Sequence, residues 1–264
     1  MLTNLNLFYN SIGDEGAAVL GKALEGNAVL TNLSLFGNGI GHEGAKALAS
    51  ALRVNGVLTD LSLTDNDIRD EGAAAIAEAL RGSAVLTKLN LDGHELDLPK
   101  LRGTDSVTSL DLSYKRLGPA SAFVIASLIA GNGVLTNLNL FYNSIGDEGA
   151  KAIGGALAVN GVLTTLDLSG DPSRFDSSSS GIGPEGASAI AEALKVNGVL
   201  TKLSLYQNDI GDEGAKALAS ALRVNEALTN LVLVYNNIGD EGAAALASAL
   251  RVNAVRKDVV LILR

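Results

Sequence analysis

The stretch LTNLNLFYNSIGDEGA, Leu2–Ala17, returns letter for letter at Leu135–Ala150. A second string, EGAKALASALRVN, stands at both Glu43–Asn55 and Glu213–Asn225. Anchoring on the L-T-x-L-x-L pattern gives unit starts at Leu2, Leu30, Leu58, Leu86, Val107, Leu135, Leu163, Leu200 and Leu228, with a partial unit from Arg256. The spacings are 28, 28, 28, 21, 28, 28, 37, 28 and 28 residues. Internal repetition therefore governs the chain, and it decides the fold before any single element does.

Within one unit the periodicity changes. Leu5 and Leu7 alternate with Asn4, Asn6 and Phe8, the period of a strand with one buried face. Ala17, Leu20, Ala23 and Leu24 then recur at helical spacing. Asp14 and Glu15 stand where a helix N-terminus attracts negative charge, and Arg53, Arg81, Lys195, Arg223 and Arg251 stand at the opposite ends. A Gly or Asn follows and stops the helix. So thin a layer cannot cover its own two faces against the entropy of ordering it. Neighbouring units must do so, with strands pairing in parallel on one side and helices lining the other.

The pattern LxxLxLxxNxIGxEGAxxLAxAL resembles the ribonuclease-inhibitor type of leucine-rich repeat over essentially the whole chain. The resemblance implies an α/β fold, a right-handed solenoid curved as a horseshoe, with a parallel β-sheet on the concave face and α-helices on the convex face. Such arrays occur in ribonuclease inhibitor, in NOD-like receptor sensor regions and in the Ran GTPase-activating protein. This chain lacks the many cysteines of the first, and no GTPase-activating residue transfers from the third. The expected organisation is one domain, 1–264, of about nine repeats and a partial terminal strand, Asp258–Leu263. The Asn at the tenth position (Asn10, Asn38, Asn66, Asn143, Asn208, Asn236) is expected to satisfy backbone groups where the strand bends into the turn. His94, Lys115 and Asp171 replace it in three units.

Composition excludes several classes of function. The net charge of −9 argues against nucleic acid, since phosphate binding needs a basic face. No apolar run is long enough for membrane insertion, and no signal peptide is evident, so the expected setting is cytoplasmic or otherwise intracellular. The chain has no Cys and only two histidines, His42 and His94, in different units. GNGIG, Gly37–Gly41, lacks the Lys-Ser/Thr of a phosphate loop. The recurring GDEG is read as a helix start, in preference to a cation site of stacked Asp14, Asp70, Asp147, Asp212 and Asp240. No catalytic, cofactor or metal residue is expected, and no enzymatic activity.

Departures from the repeat carry the remaining information. The short repeat 86–106 contains DGHELDLPKLRGTDS, where Pro99 and Gly103 oppose a full helix. Phe123, Val124 and Leu128 in the next unit are expected to fill the space left behind. The insertion loop 171–181 adds nine residues and carries Phe175 and four consecutive serines. It is read as a spacer, or as a contact loop anchored by Phe175.

Positions four, six, eight and nine of each unit point to the hollow or its edge. Phe8, Tyr9, Phe36, Tyr114, Phe141, Tyr142, Tyr206 and Tyr235 occupy positions eight and nine, where aromatics either pack on one another or serve an interface. Asp60, Asp65, Asp92, Asp111 and Asp167 make the hollow mainly acidic, with Lys88, Lys115 and Lys202 in the minority. These aromatics and aspartates, with Phe175, form the expected protein-binding surface. The expected partner is a protein with a basic face, and the function is non-enzymatic recognition. The alternatives are a spacer in a larger assembly, or regulation of a small GTPase by family analogy. Both terminal layers look uncapped, so they are expected to be covered by other segments or subunits.

Overall fold

The computed structural model describes residues 1–170, 181–253 and 260–262. Strands and helices alternate along it. The first half runs β1 (Asn4–Asn6), α1 (Gly13–Glu25), β2 (Asn32–Ser34), α2 (His42–Leu52), β3 (Asp60–Ser62), α3 (Arg69–Gly82) and β4 (Lys88–Asn90). The short repeat adds β5 (Glu95–Asp97) and α4 (Leu98–Arg102). Then follow β6 (Ser109–Asp111), α5 (Pro119–Ile129), β7 (Asn137–Asn139), α6 (Gly146–Leu157), β8 (Thr165–Asp167) and α7 (Pro184–Val196). The last elements are β9 (Lys202–Ser204), α8 (Gly211–Leu222), β10 (Asn230–Val232), α9 (Asp240–Asn253) and β11 (Val260–Ile262).

The chain is an α/β leucine-rich-repeat solenoid. Within each parallel run, a strand leucine lies opposite its counterpart one unit on: Leu5 with Leu33, Leu33 with Leu61, Leu110 with Leu138, Leu166 with Leu203. This register follows from the sequence, because a one-residue slip would turn the leucines outward. The leucines stack with the helix residues Ala17, Leu48, Ile76, Ile153 and Leu218 into one continuous buried column.

The expectation of uniformly parallel strands fails at one place. The sheet is two sheets, β1 to β5 and β6 to β11, and β5 runs antiparallel to β4. The cause lies in the short repeat. Gly93, at φ 94, turns the chain back on β4. Pro99 then starts α4, and Gly103, at φ 77, closes it after five residues. With no full helix in between, α5 packs directly on α3. The predicted filling residues do so: Val124 is 0% and Leu128 5% exposed, with Phe123 half-buried against the core. Leu96, Leu98 and Leu101 fill the space beneath.

The helix layer alternates between two kinds of helix start. In α1, α3, α6 and α8 the first helical residue has positive φ: Gly13, Arg69, Gly146 and Gly211. In α2, α5 and α7 an extended glycine precedes the helix: Gly41, Gly118 and Gly183. A carboxylate from the preceding unit caps the second kind. Asp14 accepts the N–H groups of Gly41 and Gly44, each at 2.8 Å. Asp147 accepts those of Gly183 and Gly186, and Asp212 those of Gly239 and Gly242. Gly44 must be glycine, because a Cβ there would stand 2.7 Å from the Asp14 carboxylate. The acidic first turn predicted from GDEG is therefore also a cap for the next layer. These three carboxylates are thus engaged by amides of the next layer.

Two asparagine ladders join the layers on opposite rims. The tenth-position Asn behaves as expected. Asn38 donates to the carbonyls of Leu7 and Phe36 and accepts from the N–H of Asn10. The second ladder stands past the helix ends. Asn55 donates to Leu24 and Asn27 of the unit before and accepts the N–H groups of Val57 and Leu58. Asn160, Asn197 and Asn225 repeat the arrangement. Where Ser83 replaces this Asn, the half-buried Arg102 guanidinium from α4 donates to the carbonyls of Leu86 and Ser83.

Candidate functional site

The rim at the C-terminal ends of the strands is built from the sixth, eighth and ninth positions of the unit. The sixth residue is Asn or Asp in several units and accepts the N–H of the eighth: Asn6 from Phe8, Asp111 from Ser113, Asn139 from Phe141, Asp167 from Ser169. This side-chain turn bends the chain out of the strand. The ninth residue then takes the left-handed conformation, with φ between 48 and 61 at Tyr9, Tyr114, Tyr142 and Tyr235. A bulky residue there is unusual, and the tenth-position Asn holds the turn from below. The result stands the rings of positions eight and nine on one edge.

Three aromatic clusters occupy this edge. Phe8 stacks on Phe36, with ring centroids 4.7 Å apart, and Tyr9 meets both edge-on. Tyr114 stacks on Tyr142 at 4.5 Å, with Phe141 edge-on. Tyr206 and Tyr235 form an edge-on pair at 5.6 Å. Self-packing does not bury them. Phe8 is 51%, Tyr9 61%, Tyr114 60% and Tyr235 64% exposed. Phe36, Phe141, Tyr142 and Tyr206 are half-buried. Rings held in fixed positions lose little entropy when a partner covers them.

The acidic residues divide. Asp60, Asp111 and Asp167 lie on strands at the polar face, and Asp65 on the rim accepts the Tyr9 hydroxyl at 2.8 Å. That bond favours the neutral phenol and raises the Tyr9 pKa above its ordinary value. The hydroxyl and amide of Ser113 hold the Asp111 carboxyl below the usual range. Asp92 is a correction. Its carboxylate turns to the start of α5 and accepts the N–H groups of Gly118 and Ser121, both at 2.9 Å. The helix start lacks a capping side chain of its own, and Asp92 supplies it. Lys88 is paired with Glu95 at 3.0 Å. Phe175 lies outside the described residues.

Two features escaped the sequence reading. One is a row of exposed valines at the C-terminal ends of the helices, Val54, Val159, Val196 and Val224, which the repeat period marks. The other is a cleft where the two sheets part, to which His94 and Lys115 contribute. Among the described residues no cluster of His, Asp or Glu is placed to hold a metal ion, and no helix is long and apolar enough to cross a membrane.

Comparison with solved structures finds similarities of low sequence identity. The actin-binding site 2 region of leiomodin-1 is 21% identical, covers 60% of this chain and 87% of its own, and superposes with a TM-score of 0.49. The tropomodulin C-terminal domain of Caenorhabditis elegans is 15% identical, with 60% and 92% covered and a TM-score of 0.47. The leucine-rich repeat-containing protein LegL7 of Legionella pneumophila is 18% identical, with 99% and 91% covered and a TM-score of 0.33. No curated protein matches the sequence. The family description "Leucine Rich repeat" matches residues 1–21, 26–49, 54–77, 131–154, 196–219 and 224–247, more than half of the chain, and the protein belongs to the leucine-rich repeat family.

Proposed function

We propose that this chain is a non-enzymatic scaffold that recognises a protein partner through the aromatic rim and the polar strand face. The observation that carries the reading is the set of exposed aromatic clusters, aligned on one edge by a backbone geometry repeated from unit to unit. Interfaces concentrate their energy in such anchors. Asp60, Asp65, Asp111 and Asp167 beside them favour a partner that presents Lys or Arg. Intracellular protein binding agrees with the cysteine-free, acidic composition.

The test is site-specific photo-crosslinking. A photoreactive phenylalanine at Tyr114 or Tyr235 should capture a partner that one at Val19, on the exposed face of α1, does not. Replacing Tyr114 and Phe141 together by Ser should abolish that capture and leave the far-ultraviolet spectrum intact. Equal capture from Val19 would end the rim reading.

A second reading has its own observation. The exposed valines Val54, Val159, Val196 and Val224 lie on the opposite rim, where a larger assembly would seat them. Capture confined to a probe at Val196 would favour the spacer role.

A further inference from the structure

The first aromatic cluster of the rim is built across three units, and glycine makes that reach possible. Gly37 stands at the ninth position of its unit, where Tyr9 stands in the unit before and Asp65 in the unit after. A Cβ at Gly37 would lie 2.6 Å from Cε1 and 2.7 Å from Cδ1 of Tyr9, so the Tyr9 ring rests on the bare backbone. Its hydroxyl thereby crosses the second unit and donates to Asp65 Oδ2 in the third, at 2.8 Å. Phe8, stacked on Phe36, meets the same ring edge-on. The Tyr9 ring is fixed beneath by Gly37 and at its tip by Asp65, yet 61% of the residue stays open to solvent.

The charge beside this ring is uncommitted. Asp65 is exposed, and the Tyr9 hydroxyl engages only one of its two carboxylate oxygens. It makes no ion pair among the described residues. Two residues on, Asp67 is paired with Arg69 at 2.9 Å, and that pair adds no net charge. Lys88, in the unit after Asp65, is taken by Glu95. The cluster therefore joins an open, electron-rich ring face to one free carboxylate oxygen. We propose that it takes an arginine side chain of the partner protein, whose guanidinium lies on the Tyr9 ring and donates from its edge to Asp65 Oδ1. A flat cation with donors around its edge makes both contacts at once, whereas an ammonium is a compact point charge. The proposal rests on the rim reading above and names the side chain that the first cluster recognises.

The experiment selects from a displayed library of random dodecapeptides against the purified chain, and measures the enriched peptides by fluorescence anisotropy. Enriched sequences should share an arginine in preference to lysine. Citrulline in its place keeps the shape and removes the charge, and should weaken binding about tenfold. Asp65→Asn suits the left-handed backbone there, at φ 57. It should weaken the arginine peptides about threefold and leave their citrulline analogues unchanged. The arginine Hδ protons of the bound peptide should shift upfield in the NMR spectrum, as stacking on a ring requires. No enrichment, a citrulline analogue within twofold of its parent, or an equal effect of Asp65→Asn on both analogues would overturn the proposal. Peptides lost on replacing Tyr114 and Phe141 by Ser, but bound by Asp65→Asn as tightly as by wild type, would overturn it while the rim reading stands. Equal photo-crosslinking from Val19 would end both.

Discussion

Asp70 and Asp147 occupy the same place in their units, yet their replacement should have different consequences. Asp147 Oδ1 accepts the N–H of Gly183 at 2.8 Å and that of Gly186 at 2.7 Å. Loss of a helix-capping side chain costs about 0.5–2 kcal/mol. Two amides losing a charged, half-buried acceptor place this one at the upper end, about 2 kcal/mol. Asp70 faces a different helix start. In α5 the corresponding amides, Gly118 and Ser121, are already held by Asp92. Burial, then Glu148 and Glu71, push the Asp70 carboxyl above its usual range. The folded state therefore binds the proton more tightly than the unfolded chain does, and Asp70 adds stability only at low pH. That contribution is lost as pH rises through the carboxylate range to the raised folded value. At neutral pH Asp70→Asn should leave stability unchanged or raise it slightly. Urea unfolding followed by circular dichroism measures both variants. With a slope of about 3 kcal/mol/M, Asp147→Ala should lower the midpoint by roughly 0.7 M. Hydrogen exchange localises the effect, because protection at Gly183 and Gly186 should fall about 30-fold. Equal costs for the two aspartates, or a loss at Asp147 below about 0.5 kcal/mol, would refute the alternation of helix starts.

Leu128 stands where the other units carry Ala23, Ala51, Ala79, Ala156, Ala193, Ala221 and Ala249. Leu128→Ala restores the repeat pattern but should cost about 2–4 kcal/mol in thermal or urea unfolding, because α5 fills a space the other helices lack; a neutral result would contradict the packing. Arg102→Lys should cost about 1–2 kcal/mol, since one ammonium cannot reproduce the fork that holds Leu86 and Ser83; full stability in urea would show the fork to be dispensable. Absorbance at 295 nm should find one tyrosine titrating above the ordinary range. Asp65→Asn should bring it down, and an unchanged curve would exclude the Tyr9–Asp65 bond.

Periodic features were legible because each is paid for in every layer. The strand leucines, the helix alanines and the tenth-position Asn recur at a fixed interval, and one physical role explains each recurrence. The alternation of helix starts was also written in the chain. Units whose helix starts at positive φ carry Ser11, Asp67, Ser144 and Asp209, whereas Gly39 and Asn237 precede a capped helix. The latter types tolerate positive φ, which Gly39 and Asn237 adopt at 63 and 52. Read one unit at a time, that difference looks like noise, since its meaning depends on the neighbour. Asp92 was misplaced for the same reason. Its position in the repeat points to the hollow, but the helix start it serves is 26 residues away. The antiparallel β5 had no periodic signal at all, because it occurs once.

The two layers of the solenoid respond differently to the short repeat, and the difference explains where an edge comes from. Contacts between helices are side-chain packing, so the helix layer closes the gap by enlarging three residues of α5 and keeps its order of capping and capped starts across the junction. Contacts between strands are backbone hydrogen bonds of fixed length, which no side chain can stretch. With α5 drawn onto α3, the strand layer still has to house β4 and the returning β5 between β3 and β6. An antiparallel strand at that point satisfies β4 on one side and presents its other side to β6 without pairing to it. The shortened unit therefore exposes backbone on the sheet face, while the helix face is left with a cleft lined by side chains of α3, α4 and α5.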